Sequence, residues 1–187
     1  MDQQTYSLPE VQTAIIADAS GDLVISHNEP LPDLEPGMLL VKTTAVALNP
    51  ADIKLTGHMA TEGATAGSDG AGVVVGIGPD VAPGRFAMGD RVCAPHSSMN
   101  PLKPRHGSFA EYITTAADFT LKIPDAMSDE HAASLGIGVG TIGHALFYSL
   151  KIPGHPEKPA AVNKPAVVLV YGGSTASGTM AIQMIRK

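Results

Sequence analysis

Short apolar runs alternate with glycine, proline and acidic turns through the first part of the chain. Gln12 to Ala17 and Asp22 to Ser26 read as two strands around a Ser20–Gly21 turn. A proline-rich loop from Glu29 to Gly37 follows. Met38 to Leu48 is a long strand in which Lys42 and Thr44 are the polar interruptions. Asn49 and Pro50 then open a short helix, with Asn as cap and Pro in the first position. Lys54 falls inside that turn or just after it. His58 to Thr65 is a polar loop, and Gly67 to Gly72 is a glycine cluster before a strand over Val73 to Ile77. Further short strands are expected at Met88 to Val92 and beyond, at Gly107 to Ile113 and at Thr120 to Ile123. Strands at this spacing, separated by glycine turns, predict a small β barrel.

The pattern changes after Ser128, which caps a helix with Asp129 and Glu130 in its first turn. That helix is expected to run to Leu135, where Gly136, Gly138 and Gly140 interrupt it before a second helix from Thr141 to Leu150. Ile152 to Pro165 holds four prolines at 153, 156, 159 and 165, has no helical period, and reads as a linker or surface insertion. Ala166 to Val170 is a valine-rich run of the kind that forms a strand buried on both faces. Tyr171 ends it, Gly172–Gly173 make a tight turn, and Thr179 to Lys187 reads as an apolar-periodic helix with Met180 and Met184 as core positions. Strand, glycine turn and helix aim backbone N–H groups at one point, where a pyrophosphate can sit. The usual G-x-G-x-x-G fingerprint lacks its middle glycine here, with Ser174 or Thr175 in its place according to register. A plain strand–turn–helix explains the segment equally.

Composition narrows the class. The 187 residues are 44% hydrophobic and 16% charged, which describes a globular chain. A net charge of −6 without a basic block argues against nucleic acid or an anionic membrane as partner. No apolar stretch approaches the ~18 residues of a membrane span, and the first ten residues lack a secretory pattern. A soluble, cytoplasmic protein is the expectation. Cys93 stands alone, so no disulfide framework or cysteine-cluster zinc site forms within the chain. It reads as a buried apolar filler. The histidines show no ligand-spaced pair, and His96 and His106 read as solvated loop residues.

The segments AVALNPADIK, GSDGAGVVVGIG, MGDRV, GSFAEY, AASLGIGVGTIGHAL and VVLVYGGSTASG, in that order, resemble the medium-chain dehydrogenase/reductase superfamily. The resemblance covers almost the whole chain. It implies an α/β chain with an all-β part: a GroES-like β barrel over residues 1–127, then the start of a Rossmann, doubly wound domain over 128–187. Zinc-dependent members carry a Cys after the long strand and a His-Glu in the glycine cluster. This chain has Asn49-Pro50-Ala51-Asp52 and Ser68-Asp69 there and resembles the zinc-free quinone-reductase and enoyl-reductase branch, with no metal expected. Within it, NPAD-x-K, GSDGAG and YGGSTAS are similar to the fungal trans-acting enoyl reductases, stand-alone enzymes that serve a partner polyketide synthase.

The resemblance implies NADPH as cofactor and a polyketide synthase, or a polyketide synthase–peptide synthetase hybrid, as partner, with a full-length form that is monomeric. Lys54 is the expected catalytic or cofactor contact, unless it is an ordinary surface lysine. Ala51, Asp52 and Ile53 line the same side, Asp52 serving equally as a helix N-terminal acid. Ser174, Thr175, Ala176 and Ser177 are expected to meet the cofactor phosphates. Thr141, Ile142, Gly143, His144, Ala145, Leu146, Phe147 and Tyr148 are expected to face the acyl chain. The alternatives are a quinone oxidoreductase acting on free small molecules, or a non-catalytic docking module. Only one Rossmann strand and helix are present, so the chain reads as a fragment or truncated gene product. The 187-residue chain alone is expected to show no measurable NADPH affinity. A monodisperse monomer binding NADPH in the micromolar range in a fluorescence titration would overturn that.

Overall fold

The computed structural model describes residues 7–155, 158–160 and 167–186. Two compact units result, Met1–Gly136 and Ile137–Lys187. The first begins with a hairpin of β1 (Val11–Ala17) and β2 (Leu23–Pro30). The Asp18 carboxylate accepts from the N–H groups of Ser20 and Asp22 at 2.8 and 3.0 Å and so holds the connection. An antiparallel five-stranded sheet follows, in the order β6-β3-β4-β5-β7. Its members are β3 (Met38–Ala47), β4 (Asp69–Ile77), β5 (Arg91–Pro95), β6 (Tyr112–Ala116) and β7 (Leu121–Lys122). Isolated bridges Ala14–Ala110 and Ile16–Thr65 tie the hairpin to residues around this sheet.

β3 organises the unit because both its edges are paired. Leu39, Leu40 and Val41 meet β6 on one side and β4 on the other, and all three are buried. From Lys42 onward exposed and half-buried residues alternate, as in a strand with one covered face. Leu39, Val41, Val74, Val92 and Ile113 form the main core with Phe86.

Two strand readings are corrected here. β4 begins at Asp69 and not at Val73, so all of the glycine cluster but Gly67 and Ser68 is strand. The bare glycines allow it: a Cβ on Gly72 would lie 2.1 Å from the Lys42 carbonyl oxygen. Residues 107–110 are not in a named strand. They are held instead by Ser108 N–H to Gly67 O and Phe109 N–H to Ala66 O, both 2.9 Å. Their backbone is thereby satisfied outside the sheet.

α1 (Pro50–Lys54) follows β3, as the Asn-Pro start predicts. α2 (Asp129–Ala133) is capped by Ser128, whose hydroxyl accepts from His131 N–H, and it stops before the expected Leu135. Its alanines pack with Ala71, Cys93 and Ile123. Arg91 donates to the Asp129 carboxylate at 2.6 and 2.9 Å, and Thr44 donates to it at 2.7 Å. Burial works to raise the Asp129 pKa, but these donors outweigh it and hold the group below the usual carboxylate range. α2 therefore belongs to the first unit, which ends at Gly136.

The second unit opens on α3 (Gly136–Gly143), which continues as a π-helical turn over His144–Ser149. The three glycines sit inside this helix and do not break it. The gap at Gly138 has a packing reason: a Cβ there would meet Met180 Sδ at 2.4 Å. β8 (Gly154–His155) and β9 (Lys158–Pro159) pair within the expected linker. α4 (Ala176–Ile185) closes the description. Ile142, Leu146 and Ala181 form its core, with Met180 and Met184 packed against them as expected.

The valine-rich run departs from expectation. Ala166 lies outside the described residues, and Val167–Val170 join no sheet. Val167 is 97% and Leu169 89% exposed, while Val170 packs on the core. A parallel strand draws its hydrogen bonds from neighbouring strands, and the described part of this unit supplies none beside it.

Gly72→Ala should cost about 1–3 kcal/mol, because the added methyl must push β3 from β4. Chemical denaturation measures this. An unchanged midpoint would show that the two strands can separate at that point without loss.

Candidate cofactor site

The predicted site residues fall on three short elements. Ala51, Asp52, Ile53 and Lys54 are all on α1, and their side chains divide sharply. Ala51, Ile53 and Lys54 are exposed, whereas Asp52 is buried. The Asp52 carboxylate accepts from Asn49 N–H at 2.7 Å through Oδ2 and from the Ser68 hydroxyl at 2.7 Å through Oδ1. Asn49 Nδ2 in turn donates to Asp69 Oδ2 at 2.9 Å. Asp52 is thus the reaching-back acid of a capping box and also a link to β4.

Sequence reasoning singled out Asn49, Asp52, Ser68 and Asp69 separately, as the residues in place of zinc ligands. It did not foresee that they bond to one another. The available signal was Ser68-Asp69, two polar residues at the head of a strand that is otherwise glycine and valine. Among the described residues no group of three or more His, Cys, Asp or Glu is arranged to hold a metal ion.

In the second unit a glycine turn leads into α4. Gly172 has φ +77°, which favours glycine, and a Cβ on Gly178 would lie 2.2 Å from the Gly172 carbonyl oxygen. The first turn of α4 has no acidic residue to repel a phosphate. Thr175 is the N-cap: its hydroxyl accepts from Gly178 N–H at 3.0 Å and donates to Gly172 O at 2.9 Å. Its own N–H also goes to Gly172 O at 2.9 Å. Both Thr175 donors therefore hold the turn. Ser174 and Ala176 are exposed and Ser177 is half-buried at the helix start.

The stretch Thr141–Tyr148 splits between core and surface. Ile142 and Leu146 are buried in the unit's core with Phe147 packed beside them. Gly143 and Ala145 are half-buried, and Thr141, His144 and Tyr148 are exposed. The His144 and Tyr148 rings lie 4.8 Å apart. An apolar groove of about 670 Å³, lined by Ile15, Ile25, Val46 and Leu48 among others, contains none of the predicted site residues.

Two other sequence readings can be settled. Cys93 is 3% exposed, and burial, followed by the Asp69 charge, pushes its thiol up to about 11, so it is the expected inert filler. His96 is half-buried and not fully solvated. Its Nε2 is buried without a hydrogen-bond partner, and burial, with the His106 charge adding to it, lowers its pKa to about 4.

With this geometry established, similarity to known proteins adds the family. Residues 35–125 match the alcohol dehydrogenase GroES-like domain. With the solved structures below, this gives the chain the fold of the medium-chain dehydrogenases/reductases, a GroES-like barrel followed by the start of a Rossmann domain. Among solved structures it is similar to an alcohol dehydrogenase superfamily protein from Novosphingobium aromaticivorans, with a TM-score of 0.76 and 25% identity, covering 94% of this chain and 50% of that one. A mycobacterial quinone oxidoreductase matches at TM-score 0.68 and 27% identity, over 92% of this chain and 49% of that one. A mycobacterial protein complexed with NADPH matches at TM-score 0.60 and 27% identity, over 78% and 43%. More specifically, the chain is 51% identical to a trans-enoyl reductase of Gibberella zeae, over 96% of this chain and 50% of that protein. It is 49% identical to one of Aspergillus clavatus, over 97% and 50%. The chain thus spans about half the length of the curated relatives it matches. No helix among the described residues is long and apolar enough to cross a membrane.

His96 gives the site region a pH signature. Its pKa falls from 6.5 to about 4 in the fold, so the unfolded chain binds a proton first. Its contribution to stability is complete above about 6.5 and is lost as pH falls toward 4. His106, also lowered chiefly by burial, acts in the same sense. His96→Gln should flatten the fall in stability between pH 7 and 5 without abolishing it, as read by chemical denaturation across that range. An identical slope would place the titration elsewhere.

Proposed function

We propose that this chain supplies the barrel and the start of the nucleotide-binding domain of an NADPH-dependent, trans-acting enoyl reductase. The substrate is an α,β-unsaturated polyketide thioester held by a partner polyketide synthase or a polyketide synthase–peptide synthetase hybrid. The observation that carries this reading is 51% identity to a trans-enoyl reductase over 96% of the chain. The self-bonded residues in place of zinc ligands support it, because enolate stabilisation can rest on hydrogen-bond donors.

The cofactor, when bound, supplies the hydride that adds to the β-carbon. Lys54, exposed on α1, offers an ammonium group to the cofactor or to the thioester oxygen on which charge develops. The start of α4, with Ser174, Ala176 and Ser177, offers N–H groups and hydroxyls to phosphates, and Thr175 keeps that turn in shape. Thr141, His144 and Tyr148 are the members of their stretch available to an acyl chain. Ile142, Leu146 and Phe147 hold the helix under them.

A second reading, a quinone oxidoreductase acting on free small molecules, is favoured by the 27% identity to the mycobacterial quinone oxidoreductase. Kinetics with soluble quinones against a carrier-bound enoyl chain separate the two. Co-expression of a full-length version with a reductase-deficient synthase should introduce saturated positions into the product, and an unchanged product spectrum would reject the proposal. In the same full-length version Lys54→Ala should weaken NADPH binding by about 1–3 kcal/mol, the usual loss for a charge-assisted hydrogen bond. An unaltered dissociation constant would return Lys54 to the solvated surface.

A further inference from the structure

α1 is too short to hold its own shape. It has five residues, well below the ~12–15 at which an isolated helix is even marginal in water. Ala51, Ile53 and Lys54 on it are exposed, and its apolar anchor is the half-buried C-cap Leu55, packed against the cluster of Ala17, Ala64, Ala66, Met99 and Phe109. Its buried side chain is Asp52. At its N-terminal side the attachments of this turn are polar. Ser68 Oγ donates to Asp52 Oδ1, Asn49 N–H donates to Asp52 Oδ2, and Asn49 Nδ2 donates to Asp69 Oδ2. Asp69 is buried at the head of β4 in the five-stranded sheet, and Ser68, buried too, immediately precedes it. Away from water, hydrogen bonds to a carboxylate are stronger and more directional than on the surface.

We propose that Ser68, through Asp52, is the positioning residue for Lys54: the Ser68–Asp52–Asn49–Asp69 network locks α1 to β4 and so fixes where the lysine emerges. The functional part rests on the reading of Lys54 given above. The mechanical part stands on the geometry alone. In chemical terms, a set of hydrogen bonds between two chain segments performs the joining that a metal ion performs when it takes ligands from both.

The test separates the two parts. In the 187-residue chain, Ser68→Ala should raise hydrogen exchange at the Leu55 amide, which bonds Ala51 O at 2.9 Å, by about tenfold. The Val74 amide, bonded to Asp90 O in the sheet, should keep its rate. Ser68→Thr, which retains the hydroxyl, should restore the Leu55 rate. Equal acceleration at Leu55 and Val74 would mean general loss of stability and would overturn the proposal, as would an unchanged Leu55. Should Ser68→Ala not fold, Asn49→Ala cuts the link to Asp69 and is read in the same way. In a full-length version, Ser68→Ala should weaken NADPH binding about as much as Lys54→Ala, and Ser68→Thr should rescue it. If Lys54→Ala leaves NADPH binding untouched while Ser68→Ala still frees Leu55, the cofactor reading fails and the lock on α1 survives. A loosened α1 with normal NADPH binding in Ser68→Ala, when Lys54→Ala weakens it, would refute positioning alone.

Discussion

The close approach of β3 to β4 is the constraint on which the barrel depends. It is a ladder whose one partner is bare of side chains at Gly72 and Gly76, so Lys42 and Leu40 of the other can crowd it. Leu39, Leu40 and Val41, which meet both neighbours, are apolar and buried, and the core of Leu39, Val41, Val74 and Ile113 condenses around that crossing. The far end of β3 delivers Asn49 and α1, and the near end of β4 delivers Ser68 and Asp69. Antiparallel pairing puts those two ends side by side. The polar network is thus a product of the same register that builds the core.

Local signals carried much of this. The Asn-Pro helix start, the Ser128 cap with its two acids and the apolar core of the long strand are each decided within a few residues, and each appears as read. What the sequence hid was decided by neighbours distant in the chain. A glycine run has the same letters in a turn and in a strand, and only the Lys42 carbonyl against Gly72 shows which it is. Gly138 looks like a helix breaker until Met180 is seen to occupy the space a side chain would need. His96 sits in a loop of polar residues, yet its ring nitrogen is closed off from water.

The site was legible to the same degree. Residue types and order gave the family, and α1 lies where the sequence put it, whereas α4 starts at Ala176, ahead of the expected Thr179. The division of labour inside each stretch was not visible. Residues two apart on one helix point to different sides, so Asp52 and Lys54, or Leu146 and Tyr148, differ in burial though close in the sequence. Thr175 shows the same limit in another form. Its hydroxyl is a donor on paper, and the helix it begins has already claimed it.

Cys93 has a practical corollary. It is the single thiol in the chain, and a buried group titrating near 11 presents almost no thiolate to a reagent at neutral pH. The native background for thiol labelling is therefore close to silent. A cysteine introduced on the exposed side of α1 or at the exposed Tyr148 could carry a fluorophore or spin label without first removing the natural one, and each unit could be watched separately in an otherwise unaltered chain.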